Sequence, residues 1–397
     1  MPRILCVALA GHGHVTPMLP IVSELARRGH DLAFACGPEH ADAVTRAGAA
    51  WVELPGLPPF VPPAEVGPAV VVTWLRHFFA ALARTHPVLL AHARERRPDV
   101  VVYDATNWPG RLVAQALGVP AVRTVPNLAE NDHWRGIDHA LFSGLRDHPE
   151  AARLGEDVAA FAREHGVELD VATTLEVVED LNLVFVPRAF QPAGDTFDDR
   201  FRFLGPVIGE RGEEPWRPPV EDRPLVYVSL GSIFTGRPDV YRACRDAFAD
   251  GRFAVRMTVG DVDPATLGPL PPTMQVAAWS PQLAVLRHAA AFVTHAGMNS
   301  TMEAIHHGVP MVALPQMPEQ VVNADRVAEL DLGRRLAADA LTAEALRAAV
   351  DEVTTSAAVR AAVAAVREDA ARGGGAGAGA DAVEGVLDAA GLPGSSG

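Results

Sequence analysis

Two histidines near the amino terminus have the chemistry of a general base. His12 and His14 follow the apolar run Arg3–Ala8 and precede Pro17. Imidazole can take a proton from an alcohol near neutral pH. Proline at position 17 favours the start of a helix, and the positive N-terminal end of a helix favours the neutral ring that a base requires. The residues alone leave both histidines open as the base.

A carboxylate that could support such a base ends a second buried strand. Asp104 follows the apolar run Val100–Tyr103. In open parallel sheets, ligands bind outside the carboxyl ends of the strands. An aspartate at that edge can orient an imidazole and stabilise the imidazolium that forms when the ring takes a proton. We therefore expect a histidine–aspartate pair that activates a substrate hydroxyl.

Polar residues in the carboxyl-terminal half have the pattern of an anion-binding turn. His295, Gly297, Asn299 and Ser300 follow a strand that ends at Thr294, and they open a helix. The N–H groups and the positive dipole end of a helix start can bind a pyrophosphate without a metal or a lysine. Gly297 allows a close backbone approach, and His295 can donate one more hydrogen bond.

Side chains around this turn suit the other parts of a nucleotide. Trp279 can stack on a flat base, and Gln282 can hydrogen-bond the edge of that base. Glu303 lies one helical turn beyond Asn299, and a carboxylate there suits a pair of ribose hydroxyls. Asn299 and Ser300 alone would be ordinary helix-capping residues, and Trp279 alone would be an ordinary core residue. Together, in this order, they predict nucleotide binding.

Parallel sheets are needed to position both groups of residues. Short apolar strands alternate with helical segments in each half of the chain, which predicts an α/β protein with two Rossmann-like, doubly wound domains facing each other across a cleft. A glycine- and alanine-rich stretch at 373–379 is predicted to be flexible. The expected boundaries are a first domain at 1–205, a proline-rich linker at 206–223, a second domain at 224–375, and a C-terminal helix and flexible tail at 376–397.

Composition excludes several classes of protein. The formal net charge is −15, so we expect no nucleic-acid partner, because phosphate binding needs a basic surface. Every basic residue other than histidine is arginine, which removes the lysine of Walker-type and kinase phosphate sites. The sequence contains no uninterrupted apolar run of about 18 residues, so we expect no membrane-spanning helix. Cys6, Cys36 and Cys244 fit neither a disulfide framework nor a zinc site, and we expect a cytoplasmic protein.

The stretch from Trp279 to Gln320 resembles the nucleotide-sugar signature of the family 1 glycosyltransferases. The whole chain looks most similar to their bacterial macrolide branch. The family has the GT-B fold, inverts the anomeric centre and generally needs no metal. The pattern W-x-P-Q, H-x-G-x-N-S, E, G-V-P and Q is matched at Trp279, Pro281, Gln282, His295, Gly297, Asn299, Ser300, Glu303, Gly308, Val309, Pro310 and Gln320.

The resemblance implies roles for these residues in a carboxyl-terminal, donor-binding domain. Trp279 and Gln282 would hold uracil, and Glu303 would hold the ribose. Gly231-Ser232 would make a second phosphate contact. Glu319-Gln320 would bind the sugar, although the family usually has aspartate in the first position. The diphosphate would lie on His295, Gly297, Asn299 and Ser300.

The resemblance also distinguishes the two amino-terminal histidines. The family motif G-H-x-x-P matches Gly13–Pro17 and so selects His14 as the base, with Asp104 as its partner. This implies an acceptor-binding amino-terminal domain. The candidate residues for the acceptor pocket are His12, Trp74, Phe78 and Trp108.

The resulting prediction is an inverting, metal-independent O-glycosyltransferase without a cofactor. UDP-glucose is the first candidate donor, and a dTDP-deoxysugar is the second. The acceptor would be a hydroxyl of a small apolar macrolide, polyketide or phenolic compound. We expect a monomer or homodimer with no integral membrane segment.

Three other interpretations compete with the glycosyltransferase prediction. The pair Asp261 and Asp263 matches a metal-binding Asp-x-Asp pattern, which is weak in an acidic chain. Gly11 and Gly13 resemble the start of a dinucleotide fingerprint, but Thr16 replaces its third glycine, which argues against an NAD-dependent dehydrogenase. A sugar-nucleotide epimerase or a non-catalytic nucleotide-sugar-binding module would keep the fold and lose the transfer.

Overall fold

The computed structural model divides the chain into two compact units. The first unit comprises Met1–Val186, Ala193–Gly209 and Gly373–Gly397, and the second comprises Pro187–Pro192 and Glu210–Arg372. The structure describes residues 1–8, 11–56, 68–106, 108–136, 149–170, 177–209, 215–231, 235–337 and 340–391.

The first unit contains a seven-stranded sheet in which all neighbouring strands are parallel. Its order is β3-β2-β1-β4-β5-β6-β7, so the direction of winding reverses between β1 and β4. The strands are β1 (Arg3–Val7), β2 (Asp31–Cys36), β3 (Ala50–Glu53), β4 (Val100–Asp104), β5 (Ala121–Val125), β6 (Asn182–Val184) and β7 (Phe201–Phe203). The helices before the crossing to the second unit are α1 (His12–Val15), α2 (Leu19–Arg27), α3 (Ala41–Arg46), α4 (Pro68–Glu95), α5 (Trp108–Leu117) and α6 (Pro149–His165).

Alternate residues of β1 face opposite layers of helices. Ile4 and Cys6 pack in a cluster that includes residues of α2, whereas Leu5 and Val7 pack in a cluster that includes residues of α4 and α5. A parallel sheet that is covered on both faces needs nearly continuous apolar strands. This is why the strands appear in the sequence as apolar runs rather than as an alternating pattern.

The second unit repeats this architecture with a six-stranded parallel sheet. Its order is β10-β9-β8-β11-β12-β13, and the winding reverses between β8 and β11. The strands are β8 (Leu225–Ser229), β9 (Ala254–Thr258), β10 (Met274–Ala277), β11 (Ala289–Thr294), β12 (Met311–Ala313) and β13 (Gly333–Arg335). The helices are α7 (Pro238–Ala247), α8 (Gln282–Leu286), α9 (Met298–His307), α10 (Pro318–Glu329), α11 (Ala343–Thr355) and α12 (Ala357–Arg372). The predicted pair of Rossmann-like folds is confirmed.

The prediction of a flexible stretch at 373–379 is wrong. A helix, α13 (Gly375–Ala389), begins inside it and packs on α2. The small residues allow close packing, because a Cβ at Gly379 would lie 2.7 Å from Ile21 Cδ1. Arg28 and His30 also bond to Glu384 on α13. Glycine and alanine here serve close helix packing, and composition alone cannot distinguish that use from flexibility.

The unit boundaries differ from the predicted domain boundaries. Pro187–Pro192 belongs to the second unit, where Arg326 donates hydrogen bonds to the carbonyls of Ala189 and Phe190. The second unit ends at Arg372 rather than at residue 375, and the chain beyond it belongs to the first unit. The chain passes from the first unit to the second after Gly209, within the linker predicted at 206–223. Residues 210–214 of that linker lie outside the described residues.

No helix in the described part of the chain combines the length and the apolar character that crossing a bilayer requires.

Candidate active site

The predicted histidine and aspartate are joined by a direct hydrogen bond. His14 lies in α1, and Asp104 is the last residue of β4, the strand that pairs with β1. His14 Nδ1 lies 2.9 Å from Asp104 Oδ2. The aspartate side chain is fully buried, whereas 23% of the histidine side chain is exposed. The imidazole is therefore held from the buried side and keeps accessible surface for a substrate hydroxyl.

Thr106 holds the second oxygen of this aspartate. Its backbone N–H donates to Asp104 Oδ1 across 2.9 Å, and its hydroxyl donates to the same atom. Burial alone would raise the pKa of Asp104, but attraction to His14 and hydrogen bonds from His14 and Thr106 hold that pKa below its ordinary value. Asp104 is therefore ionised at neutral pH.

The charge on Asp104 determines which nitrogen of His14 can act as a base. An ionised carboxylate only accepts hydrogen bonds, so Nδ1 carries the hydrogen of the 2.9 Å contact. A neutral ring then has its lone pair on Nε2. When Nε2 takes a proton, the negative charge of Asp104 stabilises the resulting imidazolium. The arrangement could act as a general base with an orienting carboxylate.

The ring of His12 is directed towards a different partner. It meets the ring of His40 edge to face, with centroids 4.9 Å apart and an interplanar angle of 88°. Residues two apart on a helix do not share a face, so α1 brings His14 and not His12 to Asp104. His14, the histidine that the sequence motif selects, is the one that contacts Asp104.

Three of the predicted acceptor-binding residues lie together in the first unit. The ring centroids of Trp74 and Phe78 are 5.8 Å apart, and those of Phe78 and Trp108 are 6.2 Å apart. Trp108 begins α5, four residues after Asp104, and only 2% of it is exposed. It packs in an apolar cluster with residues such as Leu75. Trp108 is therefore a core residue in this structure, and an acceptor-binding role for the group stays a prediction.

In the second unit, the predicted anion-binding residues form the turn between β11 and α9. The strand ends at Thr294, and Gly297 is the N-cap of the helix. Within the described residues, no side chain caps this helix start. The first N–H groups of a helix have no partner inside the helix, so they and the positive dipole end can receive an anion. Asn299 and Ser300 lie in its first turn.

The ring of His295 is enclosed by two glycines. A Cβ at Gly231 would lie 2.6 Å from His295 Nε2, and a Cβ at Gly297 would lie closer still to the same atom. Gly231 also has a φ of +83°, which favours glycine. Burial lowers the pKa of His295 to about 4, against a hydrogen bond with the backbone of Ser229 that raises it. The ring is therefore neutral at neutral pH and serves as a hydrogen-bonding group rather than as a charge.

The side chain of Gln282 connects the first turn of α9 to the interior of the sheet. Its Nε2 donates to Glu303 Oε2 across 2.7 Å and to Ser300 Oγ across 3.2 Å. Its Oε1 accepts a hydrogen bond of 3.2 Å from the hydroxyl of Tyr227. Both amide hydrogens therefore have protein partners, and Gln282 orients the carboxylate of Glu303. Only a lone pair of the side-chain carbonyl oxygen is left to meet the edge of a base. The contact predicted for Gln282 is therefore limited to accepting a hydrogen bond from the base.

Trp279 presents a large apolar surface next to this network. It is 68% exposed, whereas its backbone carbonyl accepts a hydrogen bond of 3.3 Å from Arg256 Nη2. Arg256 Nε also donates to Ser280 Oγ across 2.9 Å, and Thr258 Oγ1 lies 2.7 Å from that hydroxyl. The backbone at Trp279 is thus anchored while its indole stays uncovered. A flat base stacked on the ring would remove apolar surface from water.

The predicted sugar-binding pair lies in the first turn of α10. Glu319 is exposed in the first turn of that helix. Gln320 is 4% exposed, and its Oε1 accepts a hydrogen bond of 2.9 Å from the backbone N–H of Gln316. The carbonyl of Gln320 therefore fixes the loop that precedes the helix. Ser232, predicted to contact phosphate, lies outside the described residues.

The second residue of the acidic pair that resembles a metal motif, Asp263, has a structural use. Asp263 Oδ1 accepts a hydrogen bond of 3.0 Å from the backbone N–H of Ala265, at the start of the short 3₁₀ helix Pro264–Leu267. Aspartate is a preferred residue at such a start. Helix capping therefore accounts for Asp263.

Three residues of these sites were missed by sequence reasoning. Thr106 could have been found, because an aspartate commonly accepts a hydrogen bond from the backbone two residues later. Tyr227 lies in an apolar strand and resembles an ordinary core residue. Asn323 lies inside α10, and its partner Ala296 is 27 positions away in the sequence. Neither of these last two carries a local signal.

The sequence is similar to those of known proteins. The family model described as UDP-glucoronosyl and UDP-glucosyl transferase matches residues 213–365. The chain is 36% identical over 406 residues to the demethyllactenocin mycarosyltransferase of Streptomyces fradiae, with 98% of this chain and 87% of that protein covered. It is 33% identical over 400 residues to the NDP-glycosyltransferase YjiC of Bacillus licheniformis, with 97% of each covered.

A solved structure extends the similarity to the whole fold. The crystal structure of CalG4, the calicheamicin glycosyltransferase, matches with a TM-score of 0.87 and 35% sequence identity, and the match covers 98% of both chains. The chain has the GT-B fold that the sequence predicts.

Proposed function

The chain belongs to the UDP-glucoronosyl and UDP-glucosyl transferase family and is a glycosyltransferase, and we propose that it is an inverting, metal-independent hexosyltransferase that acts on a hydroxyl of a small apolar acceptor. The observation that carries this proposal is the 2.9 Å contact between His14 Nδ1 and the buried carboxylate of Asp104. It would provide a base for an acceptor alcohol, which a nucleotide-binding module does not need.

The proposed reaction is a single displacement. Nε2 of His14 takes the proton of the acceptor hydroxyl as the acceptor oxygen forms a bond to the anomeric carbon. The bond between that carbon and the diphosphate oxygen breaks, and its electron pair leaves with the nucleoside diphosphate. Attack from the face opposite the leaving group inverts the anomeric centre, so an α-linked donor gives a β-glycoside.

The leaving diphosphate would be held by the turn between β11 and α9. N–H groups at the start of α9, a neutral His295 and Ser232 would meet its negative charge. A hydrogen-bond donor placed where negative charge develops in the transition state contributes about 3 kcal/mol to catalysis. Such an environment stabilises the leaving group without a cation, and for this reason we propose that the reaction needs no metal. Activity that survives EDTA would support this, whereas loss in EDTA followed by rescue with Mn²⁺ would exclude it.

The donor would be oriented by the residues around Gln282. The base would stack on Trp279, the ribose hydroxyls would bond to Glu303, and the sugar would contact Glu319 and Gln320. UDP-glucose is our first candidate donor because of the family that the chain belongs to. A dTDP-deoxysugar is the second candidate, because a relative that is 36% identical is a mycarosyltransferase.

We propose a macrolide, polyketide or phenolic acceptor, since the relatives include glycosyltransferases named for demethyllactenocin and calicheamicin. The three cysteines are buried and free, which suits a cytoplasmic enzyme. The test is a matrix of donors and acceptors analysed by mass spectrometry. We expect a mass gain of one hexose with UDP-glucose and at least one apolar hydroxyl acceptor. Hydrolysis or epimerisation of the donor without any acceptor product would contradict the proposal.

A further inference from the structure

The anion-binding turn contains a strained residue. Ala296 has a φ of +62°, one of three positive values at non-glycine residues in the described part of the chain. An alanine in the left-handed region costs about 1–2 kcal/mol. The methyl group of Ala296 is fully buried and packs with Ala313 and Ala324, which accounts for alanine in place of glycine. The surrounding structure must therefore hold this conformation.

Two side chains hold the backbone of Ala296. Its N–H donates to Thr294 Oγ1 across 3.3 Å. Its carbonyl accepts a hydrogen bond of 3.0 Å from Nδ2 of Asn323. Asn323 is 4% exposed and lies on α10, the helix that carries Glu319 and Gln320 in its first turn. A buried amide that makes this bond is costly to replace, because its loss leaves a backbone carbonyl unpaired.

The bond from Asn323 also determines the direction of the next N–H group. The carbonyl of Ala296 and the N–H of Gly297 belong to one planar trans peptide and point in opposite directions. A carbonyl anchored to α10 therefore directs the N–H of Gly297 away from α10. Gly297 is the N-cap of α9 and adjoins the ring of His295. Rotation of this peptide would change the N-cap that the diphosphate is expected to meet.

We propose that Asn323 is a positioning residue for the diphosphate of the donor. It keeps the peptide between Ala296 and Gly297 in the orientation that opens the start of α9 to phosphate. It thereby links the helix that carries the sugar-binding pair to the turn that carries the leaving group. This inference depends on the proposed donor site and adds to it a residue that acts through the backbone of Ala296.

The test compares two ligands that differ only in the diphosphate. Calorimetry would measure the binding of UDP and of uridine to the wild type and to Asn323→Leu. Leucine has a side-chain shape similar to that of asparagine but cannot donate a hydrogen bond. We expect the Kd for UDP to rise about tenfold, as for one hydrogen bond to a charged site, and the Kd for uridine to stay within about twofold. An unchanged Kd for UDP, or an equal loss for both ligands, would overturn the inference.

Two further variants separate positioning from a general loss of stability. Asn323→Asp keeps the shape but supplies a carboxylate that cannot donate to the Ala296 carbonyl, so it should reproduce the selective loss of UDP binding. Asn182→Leu is the matched control, because Asn182 is a fully buried amide of the first unit that also bonds to backbone carbonyls. It should leave both affinities unchanged. A wild type that binds neither UDP nor dTDP would instead contradict the proposed function.

Discussion

Thr106 donates two hydrogen bonds, one from its backbone N–H and one from its hydroxyl, to the oxygen of Asp104 that His14 does not contact. The carboxylate is thus held from both sides. The orientation of the carboxylate, and through it that of the imidazole, therefore depends on Thr106, whose hydroxyl also lies 3.5 Å from His14 Nδ1.

Thr106→Val should slow transfer without weakening donor binding. Valine has the shape of threonine but lacks the hydroxyl, so Asp104 would lose one of its hydrogen bonds. We expect kcat to fall about tenfold, equivalent to about 1.4 kcal/mol, and the Kd for UDP to stay unchanged. Steady-state kinetics and calorimetry measure the two quantities.

Thr106→Ser is the matched control for this prediction, because it restores the hydroxyl and removes only a methyl group. It should retain most of the wild-type kcat. If valine and serine reduced kcat equally, the hydroxyl of Thr106 would have no part in positioning Asp104.

Tyr227→Phe should weaken nucleoside binding. The Tyr227 hydroxyl donates to Gln282 Oε1, and Gln282 in turn holds Glu303. Loss of one neutral hydrogen bond corresponds to about 1 kcal/mol, so we expect the Kd for both UDP and uridine to rise about fivefold. Because Glu303 would contact ribose rather than phosphate, the two ligands should be affected alike, in contrast to the Asn323 variants.

Tyr241→Phe is the control for that variant. Tyr241 is fully buried in the same unit, and among the described residues its hydroxyl has no hydrogen-bond partner. Its removal should leave both affinities unchanged. Equal effects of the two substitutions would mean that loss of a buried hydroxyl, rather than of the bond to Gln282, weakens binding.

Acid should destabilise the protein in part through His295. Burial lowers the pKa of this histidine to about 4 in the folded state, whereas an unfolded histidine titrates near 6.5. Between these values the unfolded chain binds the proton more readily, so the free energy of unfolding falls as the pH drops through this window. At pH 5, the titration of His295 would make the free energy of unfolding about 2 kcal/mol lower than at neutral pH.

His295→Asn should remove that part of the pH dependence. Urea unfolding at about pH 7.5 and pH 5 would show a smaller loss of stability in the variant than in the wild type. His288→Asn, at an exposed position, serves as the control and should retain the wild-type dependence. A His295→Asn variant with the same acid sensitivity as the wild type would show that the ring is not held neutral by burial.

The sequence predicts those parts of the structure that depend on local pattern. Apolar runs such as Val100–Tyr103 become strands because a parallel sheet is buried on both faces, and Asp104 follows at the edge where ligands bind. The order of strands then brings Asp104 to His14, because β4 pairs with β1. The contact between His14 and Asp104 could therefore be predicted without coordinates.

Contacts between distant segments could not be predicted in the same way. Asn323 bonds to Ala296, and Pro187–Pro192 joins the second unit through Arg326, only because of tertiary packing. The glycines of α13 likewise predict flexibility from the sequence, whereas in the structure Gly379 packs closely against Ile21. Each of these features serves packing or positioning, for which a single sequence carries no distinctive spacing.

The most direct test of the account is the rate of transfer by His14→Ala at saturating donor, measured together with its Kd for UDP. Loss of a general base should reduce the rate by about 10²–10⁴-fold, while the Kd for UDP stays within about threefold, because in our account the donor is bound by the second unit. Transfer at close to the wild-type rate would contradict the assignment of His14 as the base. Loss of UDP binding together with activity would contradict the separation of the base from the donor site.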